Sequence, residues 1–204
     1  MLTLLKEYIK EKYNKPGNVY LGLVHRLDRP TGGVMVFAKT SKAASRLSKQ
    51  LKDKQLKKHY LCVVNGKPQI AEDRLVTYLK KDEKTNTVKI APKLEEGAKE
   101  AILEYELIET KNKLSLMDIN LITGRSHQIR VQMKTLGTPV YSDLKYGKSK
   151  ETKAPTKMAL WAVDLKFTHP TTKERMSFRV YPPQTEMPWG RFNLDRYLET
   201  KVEE

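Results

Sequence analysis

One carboxylate stands between two arginines in the run HRLDRPTGG, which spans residues 25–33. Asp28 follows Arg26 by two positions and directly precedes Arg29, and a proline and two glycines come soon after. A carboxylate that is held in place and kept ionised is able to act as a nucleophile. The same letters are also good turn chemistry between two strands, and taken alone the run favours a turn residue.

Two further polar clusters lie on distant segments of the chain. The run KKHY ends at Tyr60, and TGRSHQIR, residues 123–130, carries Arg125 and Arg130. Two buried arginines on one short helix would need anions to meet them, although a solvated helix face explains this run equally well. If Arg130 meets Asp28, the carboxylate stays ionised and is available for nucleophilic attack.

The sequence lacks the motifs of phosphate loops, serine nucleophiles and metal sites. Gly32 and Gly33 are not followed by the lysine and serine or threonine of a phosphate loop, and no serine stands in a nucleophile-elbow pattern. The four histidines show no metal-ligand spacing, and His25 and His127 are interpreted as structural.

Charge indicates a polyanionic partner. Lys plus Arg is 39 against 24 for Asp plus Glu, which gives a net charge of +15. Such a surplus attracts nucleic acid first, although a lysine-rich surface also serves solubility. The lysine-rich segments 49–58 and 145–157 suit an RNA backbone groove.

The cellular compartment is predicted from the number of cysteines and from the length of the apolar runs. Cys62 is the single cysteine, which favours a reducing compartment. No apolar run approaches the roughly 18 residues of a membrane span, and charged residues interrupt the N-terminal run 1–13. We expect a cytoplasmic protein of one domain, residues 1–204.

Hydrophobic periodicity predicts the elements that must position these residues. Ser41 and Ser126 are the expected N-caps of two helices, and residues 141–157 form an expected basic loop. The predicted helices are 2–13, 41–53, 126–137 and 188–198, and the predicted strands are 20–24, 33–39, 57–65, 74–81, 87–91, 100–110, 113–122, 158–170 and 174–181. Strands that follow strands predict an α+β fold, a mixed, largely antiparallel β-sheet with flanking helices.

The order of the motifs resembles that of a known family. HRLDRPTGGVMVFAK, KKHYLCVVNGKP, LITGRSHQIRVQMKTLGTPVYSDLKYG and MALWAVDLKFTHP are similar to successive blocks of the RluA-type pseudouridine synthases. The blocks span residues 25–170, most of the chain. The resemblance implies a mixed-sheet catalytic domain that isomerises uridine to pseudouridine in RNA without a metal or organic cofactor.

The resemblance also assigns residues. Asp28 matches the family's catalytic aspartate, Tyr60 its active-site tyrosine, and Arg130 the arginine that pairs with the aspartate, with Arg125 as the other candidate for that pairing. The base must leave the stack, and Asp28 then attacks either C6 of the base or C1′ of the ribose. Tyr60 is expected to stack on the uracil and also to help remove the C5 proton, with a plain packing role for its ring as the alternative. Arg26 is expected to enter the gap left by the base or to contact a phosphate.

The sequence departs from the family pattern at several positions. Gly32 replaces a usual serine, Ser142 a usual glycine and Trp161 a usual histidine. The family's Lys-Pro-Ala-Gly-like segment has no counterpart before His25, so the chain is either truncated or has lost an edge of its sheet. Target choice is then expected to rest on the catalytic domain itself.

The leading hypothesis is an isomerase that acts on ribosomal or transfer RNA as a monomer, without an obligatory protein partner or a membrane. The alternative is a non-catalytic RNA-binding protein on the same scaffold. The joint presence of Asp28, Tyr60 and Arg130 argues against it, because plain binding of a polyanion needs no ionised carboxylate. A DNA-binding regulator is a third hypothesis, but no groove-reading motif supports it.

Overall fold

The computed structural model describes residues 1–147 and 157–194. Its strands are β1 Gly22–Leu23, β2 Gly32–Gly33, β3 Phe37–Ala38, β4 Lys57–Asn65, β5 Glu72–Asp82, β6 Thr87–Ile90, β7 Lys99–Lys111, β8 Leu114–Leu121, β9 Leu160–Thr168 and β10 Arg175–Arg179. Its α-helices are α1 Leu2–Lys12, α2 Ser41–Lys52 and α3 Gln128–Thr135, and a 3₁₀ turn covers Trp189–Arg191.

The centre of the fold is an eight-stranded sheet in the order β10-β9-β4-β8-β7-β5-β6, with β2 paired to β9. Only the β2–β9 pairing is parallel, and the other pairings of this sheet are antiparallel. Strands β1 and β3 form a separate antiparallel pair. The predicted α+β class, with a mixed, largely antiparallel sheet and flanking helices, is confirmed.

Strand β4 is covered on both faces. Tyr60, Cys62 and Val64 belong to an apolar cluster that includes residues of α3, whereas Leu61 and Val63 belong to another that includes the 3₁₀ turn. Alternate residues of a strand point to opposite faces, so this division follows directly from the pleat. The covered strand explains why the apolar run LCVV shows no polar alternation.

The predicted hairpin of residues 100–110 and 113–122 is confirmed as β7 and β8. The turn between them places Asn112 and Lys113 at φ values of 49° and 64°. Two consecutive positive φ values are typical of the type I′ turn, whose twist matches that of the flanking strands. A bulge lies between Leu107 and Glu109.

Two predicted helix starts were wrong by one residue. Thr40, not Ser41, is the N-cap of α2, since its hydroxyl accepts the Ala43 amide at 3.1 Å from an extended backbone. His127, not Ser126, is the N-cap of α3, and it has a left-handed φ of 51° without a side-chain cap bond. Each serine is adjacent in sequence to the residue that is the N-cap in the structure.

The predicted strands 20–24 and 33–39 are reduced to the two-residue strands β1, β2 and β3. Gly33 has a φ of 118°, and a Cβ there would lie 2.2 Å from the Ala162 oxygen. The chain therefore touches β9 for two residues and turns away, and Phe37 then pairs with Leu23. This close approach fixes the end of the HRLDRPTGG loop on the central sheet.

Other differences concern the periphery. Of the inward face predicted for the first helix, only Ile9 is buried, whereas Leu2 and Tyr13 are exposed. The predicted helix 188–198 shows one 3₁₀ turn, and its positions 195–198 lie outside the described residues. Of the predicted basic loop, positions 148–156 lie outside them as well. No helix among the described residues is long and apolar enough to cross a membrane.

Candidate active site

A cavity of about 1040 Å³ opens where residues 23–31, strand β4 and residues 121–130 meet. Its charged lining is almost entirely basic. The cations that line it are Arg26, Arg29, Lys52, Lys54, Lys58, Lys81, Arg125 and Arg130. Asp28 is the one carboxylate among the described residues of this lining. A cavity with this charge attracts an anionic ligand and concentrates it around a single acidic group.

Asp28 is both a turn residue and a lining residue of the cavity. Its carbonyl accepts the Thr31 amide at 2.8 Å, and its Oδ1 accepts the Arg29 amide at 2.8 Å. Its side chain nevertheless keeps 23% of its surface exposed. Turn chemistry therefore explains the shape of the loop, and the loop directs the carboxylate toward the cavity.

Arg130 lies against Asp28 at the start of α3. Its Nη1 donates to Asp28 Oδ2, while its Nε and Nη2 donate to the two oxygens of Asp143 at 2.7 and 2.6 Å. Only 6% of the Arg130 side chain is exposed. Burial lowers the pKa of Arg130, but the hydrogen bonds and charge of Asp143, followed by those of Asp28, outweigh it and raise the pKa above its ordinary value.

Sequence reasoning missed Asp143, whose side chain is fully buried. Burial raises the pKa of Asp143, but the Arg130 guanidinium and the amides of Tyr146 and Lys145 outweigh it and lower the pKa. These amides donate to Oδ1 at 3.0 and 2.9 Å. The donor count of arginine could have predicted a second carboxylate here. A buried Arg130 has five N–H donors and needs more acceptors than Asp28 supplies.

Arg125 lies apart from the carboxylate. It is exposed, and its Nε donates to the Glu100 carbonyl at 2.8 Å. Its amide donates to Gln128 Oε1 at 3.0 Å, and Gln128 is held in turn by Thr123 at 2.8 Å. The structure thus brings Arg130 to Asp28, and it leaves Arg125 at the edge of the cavity.

Tyr60 lies on β4 with its side chain in the cavity wall and in the apolar cluster around α3. Burial raises the pKa of Tyr60 to about 12. The phenol therefore stays protonated near neutral pH, where it is a poor base. Its ring, packed near Ile129 and Leu160, offers an aromatic surface to a ligand.

Lys58 is a second residue that sequence reasoning did not assign to the site. It lines the cavity two positions before Tyr60, only 8% of it is exposed, and it has no ion-pair partner among the described residues. Burial lowers the pKa of Lys58. A desolvated ammonium without a carboxylate is stabilised when an anion enters. The lysine-rich run 49–58 already placed this residue in a basic segment.

His25 and Arg26 have different surroundings. His25 Nε2 accepts the Val36 amide at 3.2 Å, which ties the loop to the segment before β3. Burial, followed by the charge of Lys58, lowers the pKa of His25 to about 4. Arg26 is exposed, lines the cavity, and makes no side-chain hydrogen bond or ion pair within the described residues. It is therefore available to a ligand.

The two lysine-rich segments contribute unequally. Lys52, Lys54 and Lys58 of the first segment line the cavity. In the second segment Lys145 donates to the Asn86 carbonyl at 2.8 Å and Lys157 pairs with Glu186, while 148–156 lie outside the described residues. Nowhere in the described ranges do three or more His, Cys, Asp or Glu residues gather as metal ligands would.

The fold agrees with the comparisons to known proteins. A family model described as RNA pseudouridylate synthase matches residues 3–135, which is more than half of the chain. The chain belongs to the RNA pseudouridylate synthase family. The resemblance to RluA-type enzymes is confirmed by relatives named ribosomal large subunit pseudouridine synthase C and D.

Similar proteins are found in several bacteria. Ribosomal large subunit pseudouridine synthase C of Buchnera aphidicola subsp. Baizongia pistaciae is 37% identical over 79% of this chain and 53% of its own. Ribosomal large subunit pseudouridine synthase D of Neisseria meningitidis serogroup B is 34% identical over 79% of this chain and 45% of its own. The chain thus spans about half the length of these curated relatives.

Solved structures share the fold. Human RNA pseudouridylate synthase domain containing 4 superposes with a TM-score of 0.75 at 19% identity, covering 90% of this chain and 79% of its own. Human RNA pseudouridylate synthase domain containing 1 superposes with a TM-score of 0.74 at 23% identity, covering 96% of this chain and 84% of its own. At these identities the similarity speaks for the fold alone.

Proposed function

We propose that this protein is an isomerase that converts uridine to pseudouridine in RNA, with ribosomal or transfer RNA as substrate and Asp28 as nucleophile. One observation carries the proposal. Among the described residues, one carboxylate lines the basic cavity, and it is held by a buried arginine that is itself fixed by Asp143. An exposed binding surface needs no such arrangement, whereas a nucleophile must be ionised and oriented.

The charge of the cavity supports RNA as the substrate. RNA carries one phosphate per nucleotide, and in the part of the lining that the structure describes eight cations oppose one carboxylate. Each phosphate contact releases counterions, so affinity is expected to fall steeply with salt. The names of the relatives favour ribosomal RNA of the large subunit.

The uridine must first leave the base stack. Flipping costs a few kcal/mol in a duplex and less in a loop or single strand. Tyr60 offsets this cost, because stacking on an aromatic ring is worth about 1–3 kcal/mol per base. Arg26 enters the gap left by the base or contacts a neighbouring phosphate.

The isomerisation breaks the N1–C1′ bond and forms a C5–C1′ bond. The C5 proton goes to solvent, and N1 takes up a proton from solvent. In one route Asp28 adds to C6 of the base, and the adduct rotates within the cavity. In the other route Asp28 forms a bond to C1′ of the ribose, and the released base rotates. In both routes the carboxylate is regenerated, and no oxidant or reductant is consumed. Arg130 holds one oxygen of the carboxylate throughout.

The second candidate is a non-catalytic RNA-binding protein on the same scaffold. The net charge of +15 and the basic cavity favour RNA binding of either kind. Binding alone would be improved by removing Asp28, since a carboxylate repels phosphates. The two candidates therefore predict opposite roles for one residue.

The deciding experiment is tritium release from ribosomal and transfer RNA transcribed with C5-tritiated uridine. The native chain is compared with Asp28→Asn, and RNA binding and circular dichroism are measured for both. Release by the native chain alone, with both proteins folded and bound to RNA, would support the isomerase. Binding without release would support the second candidate, and an unfolded Asp28→Asn chain would make Asp28 a structural turn residue.

A further inference from the structure

His127 lies between Asp28 and a buried tyrosine. Its Nδ1 is 2.7 Å from the hydroxyl of Tyr146, and its Nε2 is 3.7 Å from Asp28 Oδ1. The left-handed backbone at position 127 directs the ring into this gap, where 9% of the side chain is exposed. The two rings meet edge to face, with centroids 5.5 Å apart.

The hydrogen bonds of Tyr146 determine which nitrogen of His127 carries the proton. The Tyr146 oxygen accepts the amide of Val88 at 2.8 Å. Its hydroxyl proton then has one acceptor among the described residues, which is His127 Nδ1. If Nδ1 carried a proton instead, the buried hydroxyl would be left without an acceptor, a loss of about 1–3 kcal/mol. The proton of a neutral His127 therefore belongs on Nε2.

The surroundings also keep His127 neutral. Burial lowers its pKa, and the positive charges of Arg130 and Lys145 act in the same direction, against those of Asp28 and Asp143. Burial raises the pKa of Tyr146, so the hydroxyl keeps its proton as well. The chain of donors then runs from the Val88 amide through the hydroxyl to the imidazole, and from the imidazole toward Asp28.

We propose that His127, held as the Nε2–H tautomer by Tyr146, is a positioning residue for the Asp28 carboxylate. The inference rests on the proposed function, since it assigns a device that orients the nucleophile. Arg130 fixes Oδ2, the Arg29 amide fixes Oδ1, and the His127 N–H restricts rotation from the third side. At 3.7 Å this last contact is electrostatic and longer than a hydrogen bond.

The device couples the hairpin of β5 and β6 to the nucleophile. Val88 lies on β6, which pairs with β5 at the end of the sheet. Its amide is the group that turns the Tyr146 hydroxyl toward His127. Val88, which is not a lining residue of the cavity, therefore contributes to the orientation of Asp28 through Tyr146 and His127.

The first test is a long-range ¹H–¹⁵N correlation spectrum of the histidine-labelled full chain near pH 7, with His127→Gln for assignment. We expect the neutral Nε2–H pattern in the native chain and a mixture of tautomers in Tyr146→Phe. Tyr141→Phe is the matched control, because the Tyr141 hydroxyl makes no hydrogen bond within the described residues. An Nδ1–H tautomer or a charged imidazolium in the native chain would overturn the proposal, whatever the activity.

The second test is kinetic, with tritium release from the responding RNA. We expect Tyr146→Phe to lower kcat by about ten-fold with little change in KM, because orientation is lost while RNA contacts remain. His127→Gln keeps an N–H donor that reaches toward Asp28 and should retain more activity than His127→Ala, which has a similar backbone strain. Equal losses in these two variants would overturn the positioning role. An inactive native chain with the Nε2–H tautomer would instead count against the proposed function.

Discussion

Asp143 and Arg130 form a buried pair in which two nitrogens of the guanidinium lie 2.6 and 2.7 Å from the two carboxylate oxygens. This geometry leaves Nη1 as the arginine donor that reaches Asp28. A bidentate pair fixes the plane of the guanidinium as well as its charge. The direction in which Asp28 is held is therefore set by a residue that lies outside the cavity lining.

Replacing Asp143 with asparagine tests this dependence. We expect the free energy of unfolding to fall by about 3–5 kcal/mol, because the variant leaves a buried arginine with one carboxylate partner. The kcat of tritium release should fall by about ten-fold or more, since Arg130 loses its orientation. Urea denaturation and initial rates measure the two effects. Asp73→Asn, at an exposed position, is the control and should change neither quantity.

Stability should also decline in mild acid through His25. Its folded pKa of about 4 lies below the ordinary value of 6.5. The neutral form is therefore favoured by folding, and the stabilisation is full above pH 6.5 and is lost progressively as the pH falls toward 4. Protonation removes the acceptor of the Val36 amide and weakens the loop that carries Asp28.

The pH dependence is measured by urea denaturation between pH 7 and 4, together with the NMR titration of His25. His25→Gln, which keeps an acceptor but does not titrate, should lose less stability over that range than the native chain. A native His25 that titrates near 6.5 would contradict the expectation.

Lys58 should contribute to RNA binding at the expense of stability. We expect Lys58→Met to bind RNA more weakly, with a salt slope smaller by about one, as loss of one phosphate contact predicts. The same variant should unfold at a higher temperature, because a desolvated ammonium without a partner is replaced by an apolar side chain. Filter binding at several salt concentrations and thermal denaturation provide the readouts.

The control for Lys58 is Lys99→Met, at an exposed lysine outside the cavity lining. It removes the same charge from the chain and should leave both the salt slope and the unfolding temperature close to native values. If the two variants behaved alike, net charge rather than the cavity lysine would explain the binding.

The sequence was informative where local patterns or motif order carry the information. Periodicity predicted the long strands and the β7–β8 hairpin, and motif order indicated Asp28, Tyr60 and Arg130. Asp143 was missed, and Lys58 was predicted only as part of a basic segment, because the importance of both residues comes from burial beside distant segments. The link from Val88 to Tyr146 joins residues 58 positions apart, and no spacing rule connects them. The lengths of the strands around Asp28 were overpredicted. The close approach of Gly33 to Ala162 ends the pairing of β2 with β9 after two residues.

Two departures from the family pattern, Gly32 and Trp161, meet in the structure. A Cβ on Gly32 would lie 2.2 Å from the Trp161 ring, so the indole occupies the space that a serine side chain would fill. Strands β2 and β9 pair at these two residues, directly beside the loop that carries Asp28. A side chain at position 32 would therefore require the indole of Trp161 to shift.

A double-mutant cycle tests this coupling. Gly32→Ser alone should lower the free energy of unfolding by about 1–3 kcal/mol, the usual cost of overpacking. Trp161→His alone should also destabilise, because it leaves a void and removes the 2.8 Å hydrogen bond from the indole to the Val180 carbonyl. The double variant should be less destabilised than the sum of the two, since the histidine makes room for the serine. Strict additivity in urea denaturation would show that the two positions changed independently.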